Sequence, residues 1–169
     1  MTEDAAGGRL AWFNGLARAT AIGALLTACH SRRWAESVAD GRPYRDVDAI
    51  LESADDVWQR LGPADWREAL DGHPRIGESG GTSAAFSRQE QAGMSGASED
   101  TRAAIAAGNR TYEDKFGHVF LVSAAGRSPA EILENLRSRL DNDPDTELRN
   151  AAEEHRRITR LRLLKLLRA

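Results

Sequence analysis

The chain has 169 residues, 41% hydrophobic and 29% charged, a composition that supports a packed core and excludes a disordered polymer. Its 23 basic and 26 acidic side chains leave a formal charge of -3, too balanced to point to nucleic acid or a membrane surface as partner. A single cysteine, Cys29, excludes an intramolecular disulfide and a thiolate zinc site.

The apolar spacing is helical almost throughout, and strict alternation is scarce. Asn14 is a candidate cap for a first helix running to about Cys29, with Leu16, Ala19, Ile22, Leu25 and Leu26 on one stripe and Trp12 and Phe13 ahead of it. A short helix is expected over Arg33 to Ala39. After Pro43, either Asp46 or Asp48 opens a helix through Val47, Ile50, Leu51, Val57 and Leu61, closed by Gly62 and Pro63. Residues Asp65 to Leu70 make a further short helix whose C-terminus points at His73.

Residues 77 to 84 are the Gly- and Ser-rich stretch, expected to be a surface loop inside one domain. Ser87 and Glu90 have the Ser-x-x-Glu spacing of a capping box and predict a short helix. A long helix starts at Ser98 or Asp100, passes Ile105, Asn109, Tyr112 and Phe116, and stops at Gly117. Val119 to Val122 is the one β-like run, either a buried extended segment or a helix start. Ser128 and Pro129 open another helix carrying Ile132, Leu133, Leu136 and Leu140, with proline at the position where its missing N–H is harmless. Pro144 or Asp145 begins a last helix to Leu167. The expectation is an all-α fold, residues 1–169 forming a single domain of seven or eight helices.

The apolar stretch Ala19 to Cys29 is too short to span a bilayer. The start Met1-Thr2-Glu3-Asp4 lacks a basic signal region, and the ending Leu167-Arg168-Ala169 is not a peroxisomal Ser-Lys-Leu. A cytoplasmic protein without membrane or nucleic-acid partners is expected.

Chemistry concentrates in His73-Pro74-Arg75-Ile76-Gly77-Glu78. Pro74 biases His73 toward an extended backbone and Gly77 permits a turn, so the loop presents an imidazole and a guanidinium. An ordinary imidazole titrates near pH ~6.5 and serves as acid or base at neutral pH. The same position also suits a histidine placed at a helix end for its dipole. Glu90 can meet His73 or a substrate amide, or simply complete the Ser87 capping box. Gln91 offers both a donor and an acceptor to a urea-like edge. Arg160 and Arg162 are two apart and cannot share a helix face, so one can turn inward and then needs an anionic partner. The run Arg156 to Arg168 otherwise reads as a solvated basic face. His118 reads as a packed loop histidine, while His30 and His155 have no clear polar company. Cys29 lies in an apolar helix and reads as core. Metal-binding spacings and nucleotide-cradling glycine motifs are absent.

Four elements occur in order: His73-Pro74-Arg75-Ile76-Gly77; Ser87-x-x-Glu90-Gln91 with Gly93; Asn109-x-x-Tyr112-x-x-Lys115-Phe116-Gly117-His118-Val119-Phe120 continuing to Gly126-Arg127-Ser128; and Ile158-x-x-Leu161-Arg162-Leu163. Together, from about Phe13 to Leu167, they resemble the 2-oxo-4-hydroxy-4-carboxy-5-ureidoimidazoline (OHCU) decarboxylase family of uric acid degradation. The resemblance implies an all-helical fold, usually a homodimer, no cofactor, and formation of (S)-allantoin and carbon dioxide from a ureido-imidazoline. It implies His73, Glu90 and Arg162 as catalytic residues. It implies substrate contacts from Pro74, from Ser87, Arg88, Gln89, Glu90 and Gln91, and from the backbone of Phe120, Leu121, Val122, Ser123 and Ala124. Ser123 stands where many relatives carry cysteine, and the Gly80-Gly81 loop bears on access to the site. Two other readings use the same residues: a helical lyase or hydrolase acting on another ureido compound, and a non-enzymatic helical interaction module.

Overall fold

The computed structural model describes residues 2–76, 94–124 and 126–168. Among them the chain is all-α, with eight α-helices and no strand: α1 (Thr2–Gly15), α2 (Arg18–Ala28), α3 (Arg32–Asp40), α4 (Val47–Arg60), α5 (Pro63–Asp71), α6 (Glu99–Phe116), α7 (Pro129–Arg139) and α8 (Pro144–Arg168). The 77–84 loop and the Ser87-capped helix expected from the sequence lie outside the described residues. The chain divides into two compact units, one of Met1–Ala69 with Arg156–Ala169 and one of Leu70–His155.

In the first unit α2 packs on α3 and α3 on α4. Phe13, Leu25, Trp34, Ile50, Leu51 and Leu163 are fully or almost fully buried there. The expected helix from Asn14 to Cys29 is not found: α1 runs to Gly15, and α2 begins only at Arg18 after an Ala17 cap. Asn14 does not cap because its amide is committed elsewhere. Its Nδ2 donates to the Tyr44 carbonyl at 2.8 Å and its Oδ1 accepts the Tyr44 N–H at 2.9 Å. Arg42 meets the carbonyls at the end of α1, donating to Phe13 O at 3.0 Å and Leu16 O at 2.7 Å. Phe13 is buried, whereas Trp12 is 41% exposed under the Arg9 guanidinium.

Asp46, rather than Asp48, caps α4 by accepting the Ala49 N–H at 2.8 Å. Pro63 does not merely follow that helix; it opens α5, two residues ahead of the expected start.

In the second unit α6 packs on α7 around Ile105, Tyr112, Phe116, Phe120, Ile132 and Leu136. Ser98 caps α6. Ser128 and Glu131 form a full capping box on α7, with Pro129 in its first turn. Gly117 ends α6 in the left-handed region at φ 74°, its N–H donating to Glu113 O at 2.8 Å. After it, residues 119–124 run without helix or strand, and all but Val119 and Ser123 are buried. This settles the β-like run as a buried non-helical segment.

A Cβ at Gly117 meets nothing within 4 Å, so the cost of adding one lies in the backbone alone. Gly117→Ala is expected to lower unfolding free energy by about 1 kcal/mol in urea titration, with the helical circular dichroism of the native state unchanged.

Candidate active site

His73 follows α5 in a short turn, where its N–H donates to Leu70 O at 3.1 Å. The loop is anchored on α6 from two sides. Arg75 forms a two-point ion pair with Glu113, at 2.7 and 2.9 Å. Asn109 donates from Nδ2 to Ile76 O at 3.3 Å, and Ile76 enters the core. The guanidinium that the sequence suggested as a presented group is thus already paired. The imidazole of His73 is buried (9% exposed), not a surface cap. Its ring meets the fully buried ring of His155 edge-on, with centroids 4.8 Å apart and planes at 83°. His155 therefore does have polar company, contrary to expectation, and the companion is His73.

Among the described residues the 119–124 segment has no neighbouring strand, and side chains meet its polar groups. Arg139 Nη1 donates to Leu121 O at 2.6 Å. Glu154 Oε2 accepts the Ser123 N–H at 3.0 Å, while its Oε1 lies 3.5 Å from Arg127. Arg139 is itself held by Glu147, with Nε at 2.6 Å, and its guanidinium lies 4.8 Å from the centre of the Phe120 ring. The fully buried Glu147 also accepts from the Tyr112 hydroxyl at 2.5 Å and from Asn142 Nδ2 at 2.9 Å. Burial, foremost, pushes the Tyr112 phenol well above its usual range, so it remains a donor to Glu147. His118 is packed, its ring set edge-on to that of Tyr112.

Arg162 lies in the other unit. It is 3% exposed, and Nη1 is 3.5 Å from Ala28 O at the end of α2, a long contact. Arg160 instead reaches Asp55 at 3.0 Å, so of the two arginines Arg162 is the inward one. Arg156 shares Asp55 at 3.1 Å. The C-terminal basic run is therefore not simply a solvated face. Near Arg162, Cys29 is fully buried and its thiol is pushed up to about 12 by desolvation, which removes it as a thiolate nucleophile at neutral pH.

His73, Pro74 and Phe120 to Ala124 thus fall in one unit, and Arg162 in the other. Ser87, Arg88, Gln89, Glu90 and Gln91 lie outside the described residues. No cluster of three metal-ligating side chains occurs among the described residues, and no described helix is long and apolar enough to cross a membrane. Sequence reasoning missed Arg139, Glu147, Glu154 and His155. One signal was readable: Arg139 falls three residues after Leu136, on the apolar stripe of α7, where a charge needs a buried partner.

The fold and this buried imidazole define an all-helical protein with a candidate acid–base site. The chain belongs to the OHCU decarboxylase family, whose sequence pattern matches residues 14–164. It is 35% identical over 144 residues to the uric acid degradation bifunctional protein TTL of Arabidopsis thaliana, covering 82% of this chain and 44% of that one. A 2-oxo-4-hydroxy-4-carboxy-5-ureidoimidazoline decarboxylase of Haloferax volcanii is 27% identical over 135 residues, covering 79% of this chain and 80% of the other. Among solved structures, an OHCU decarboxylase crystallised in the presence of (S)-allantoin superposes with a TM-score of 0.75 at 32% identity, covering 84% of this chain and 95% of that one. The chain spans only 44% and 27% of the first two curated relatives it matches, both bifunctional proteins.

Glu147→Leu leaves the Arg139 guanidinium buried without its carboxylate and is expected to cost about 3–5 kcal/mol of stability by urea denaturation. Cys29 is expected to escape alkylation by iodoacetamide in native protein and to be labelled fully in denaturant, read by intact mass.

Proposed function

We propose that this chain decarboxylates 2-oxo-4-hydroxy-4-carboxy-5-ureidoimidazoline to (S)-allantoin and carbon dioxide in uric acid degradation. The observation that carries the reading is the family match over residues 14–164, almost the whole chain. The likeness to an OHCU decarboxylase crystallised with (S)-allantoin supports it.

The chemistry follows from the substrate. A carboxylate and a hydroxyl share one ring carbon, next to a carbon–nitrogen double bond. When the bond to the carboxylate breaks, its electron pair forms a bond to the neighbouring carbon and the imine nitrogen takes the charge. The substrate is its own electron sink, so the reaction is proposed to run without a cofactor. The hydroxyl then gives up its proton to become the carbonyl, and a proton delivered to one face of the ureido-bearing carbon sets the S configuration.

His73 is assigned as the group that takes the hydroxyl proton or holds it by a hydrogen bond. Its burial supports this role, because a shielded imidazole is better placed to direct a proton than an exposed one. Glu90 is assigned to orient the groups around it, and Arg162 to hold anionic charge. Pro74, Ser87 to Gln91 and the backbone of Phe120 to Ala124 are assigned to substrate contact. Because Leu121 O and Ser123 N–H are engaged by Arg139 and Glu154, contacts from that segment fall to its other backbone groups. The proposal extends to a cytoplasmic homodimer, on the family resemblance.

His73→Asn is expected to keep the fold and lose at least about a hundredfold in rate. The measurement is circular dichroism of allantoin formed from urate by the upstream enzymes, since spontaneous decay gives racemic product. Near-normal formation of optically active allantoin by His73→Asn sinks the assignment.

A further inference from the structure

Glu154 and His155 follow one another on α8, yet they serve two different parts of the Leu70–His155 unit. Successive helical residues diverge by roughly 100° around the axis, so neighbours in sequence reach different neighbours in space. Glu154 turns to the 119–124 segment, accepting the Ser123 N–H at 3.0 Å and facing Arg127 at 3.5 Å. His155 turns to the loop after α5, setting its ring edge-on to His73 at 4.8 Å. Both side chains are buried, Glu154 at 9% exposure and His155 at 0%.

Each contact restrains a group assigned to the site. The Ser123 N–H sits in a segment without a strand partner among the described residues, and a charged acceptor holds it more strongly than a neutral one. Arg127 balances the charge this places beside the segment. On the other side, an edge-on ring limits the tilt of the His73 imidazole. A group that handles a proton works only when its nitrogen is aimed, within about 10–20° of the productive direction.

We infer that the Glu154–His155 step is a positioning device, in which Glu154 sets the 120–124 backbone that lines the substrate and His155 sets the ring of His73. Neither residue touches reacting atoms. The inference rests on the decarboxylase reading and adds to it a division of labour. The wall is held by one residue and the acid–base group by the next.

The division predicts different kinetic signatures for adjacent residues. Loss of a contact wall raises KM, and misaiming of the proton-handling group lowers kcat. Glu154→Ala is expected to raise KM by about tenfold with kcat changed less than about threefold. Glu154→Gln retains an oxygen for the Ser123 N–H and is expected to raise KM by less than about threefold. Arg127→Ala removes the ion pair alone and is expected to leave KM within about twofold. His155→Ala is expected to lower kcat by about tenfold or more at nearly constant KM, and His155→Phe, which keeps an aromatic edge, to recover most of it.

The full-length chain and its variants are assayed by (S)-allantoin circular dichroism, alongside thermal melts and far-ultraviolet spectra. Equal effects of the Ala and Gln changes at Glu154 overturn the inference. So do parallel changes in kcat and KM at either site, or failure of His155→Phe to recover kcat while native helicity is retained. If the alanine variants do not fold, Glu154→Gln and His155→Phe decide: a KM rise beyond threefold in the former or a kcat loss near that of His73→Asn in the latter overturns it. A wild-type chain that makes no optically active allantoin overturns the functional reading itself, which separates that failure from failure of the positioning roles.

Discussion

A buried run of chain in an all-helical protein has no strand beside it to share hydrogen bonds, and among the described residues, 119–124 live under that constraint. Side chains must reach in from helices to satisfy what a sheet would otherwise satisfy. Arg139 of α7 does so for Leu121 O, and Glu154 of α8 for Ser123 N–H. A guanidinium, with its five N–H donors, can serve one carbonyl and still leave donors for a second partner. That requirement brings Glu147 with it, because a buried guanidinium needs a carboxylate, and a buried carboxylate needs its remaining lone pairs filled. Tyr112 and Asn142 fill them. The ion pair is thus explained less by the stability it adds than by the segment it immobilises.

The same logic reaches the imidazole loop through α6. Asn109, Tyr112 and Phe116 recur at three- and four-residue spacing on the buried face of that helix. Asn109 holds the Ile76 carbonyl, Glu113 beside that face holds Arg75, and Tyr112 closes the network around Glu147. One helix face thereby anchors both the loop that carries His73 and the network that pins the 119–124 segment. Ion pairing of Arg75 is half-exposed and contributes little energy, but its two-point geometry restricts the loop more than a single bond can.

Helices with an apolar stripe and a local cap were legible in the sequence, because both signals are contained within a few residues. Ser98, Ser128 and Gly117 all act where local chemistry says they should. The first helix was not legible: Thr2–Gly15 carries three glycines and no clean stripe, and Asn14 looks like a cap until Tyr44 claims its amide from thirty residues away. The site shows the same split. His73 announced itself by its proline and glycine, but His155 could not, since no motif around it in the sequence marks it. Its reason lies eighty-two residues earlier, in the ring it meets. Arg139 was half-legible, as a charge on an apolar stripe without a visible partner.

These misses share a physical origin. In a decarboxylation where the substrate accepts the electrons itself, a protein has little covalent chemistry to perform, and what remains is orientation, shielding and delivery of one proton. Such work needs few chemically distinctive residues in the reaction itself and many that hold them. Holding residues carry ordinary side chains whose partners are distant in sequence, so they leave no compact motif. What marks them is a local inconsistency: a charge on an apolar stripe, or an imidazole buried in a helix. Arg139 and His155 are inconsistent in this sense, and both sit next to the segments assigned to substrate and proton. Read this way, the anomalies in a helical sequence point to the scaffold of the site, while its motifs point to the reacting groups.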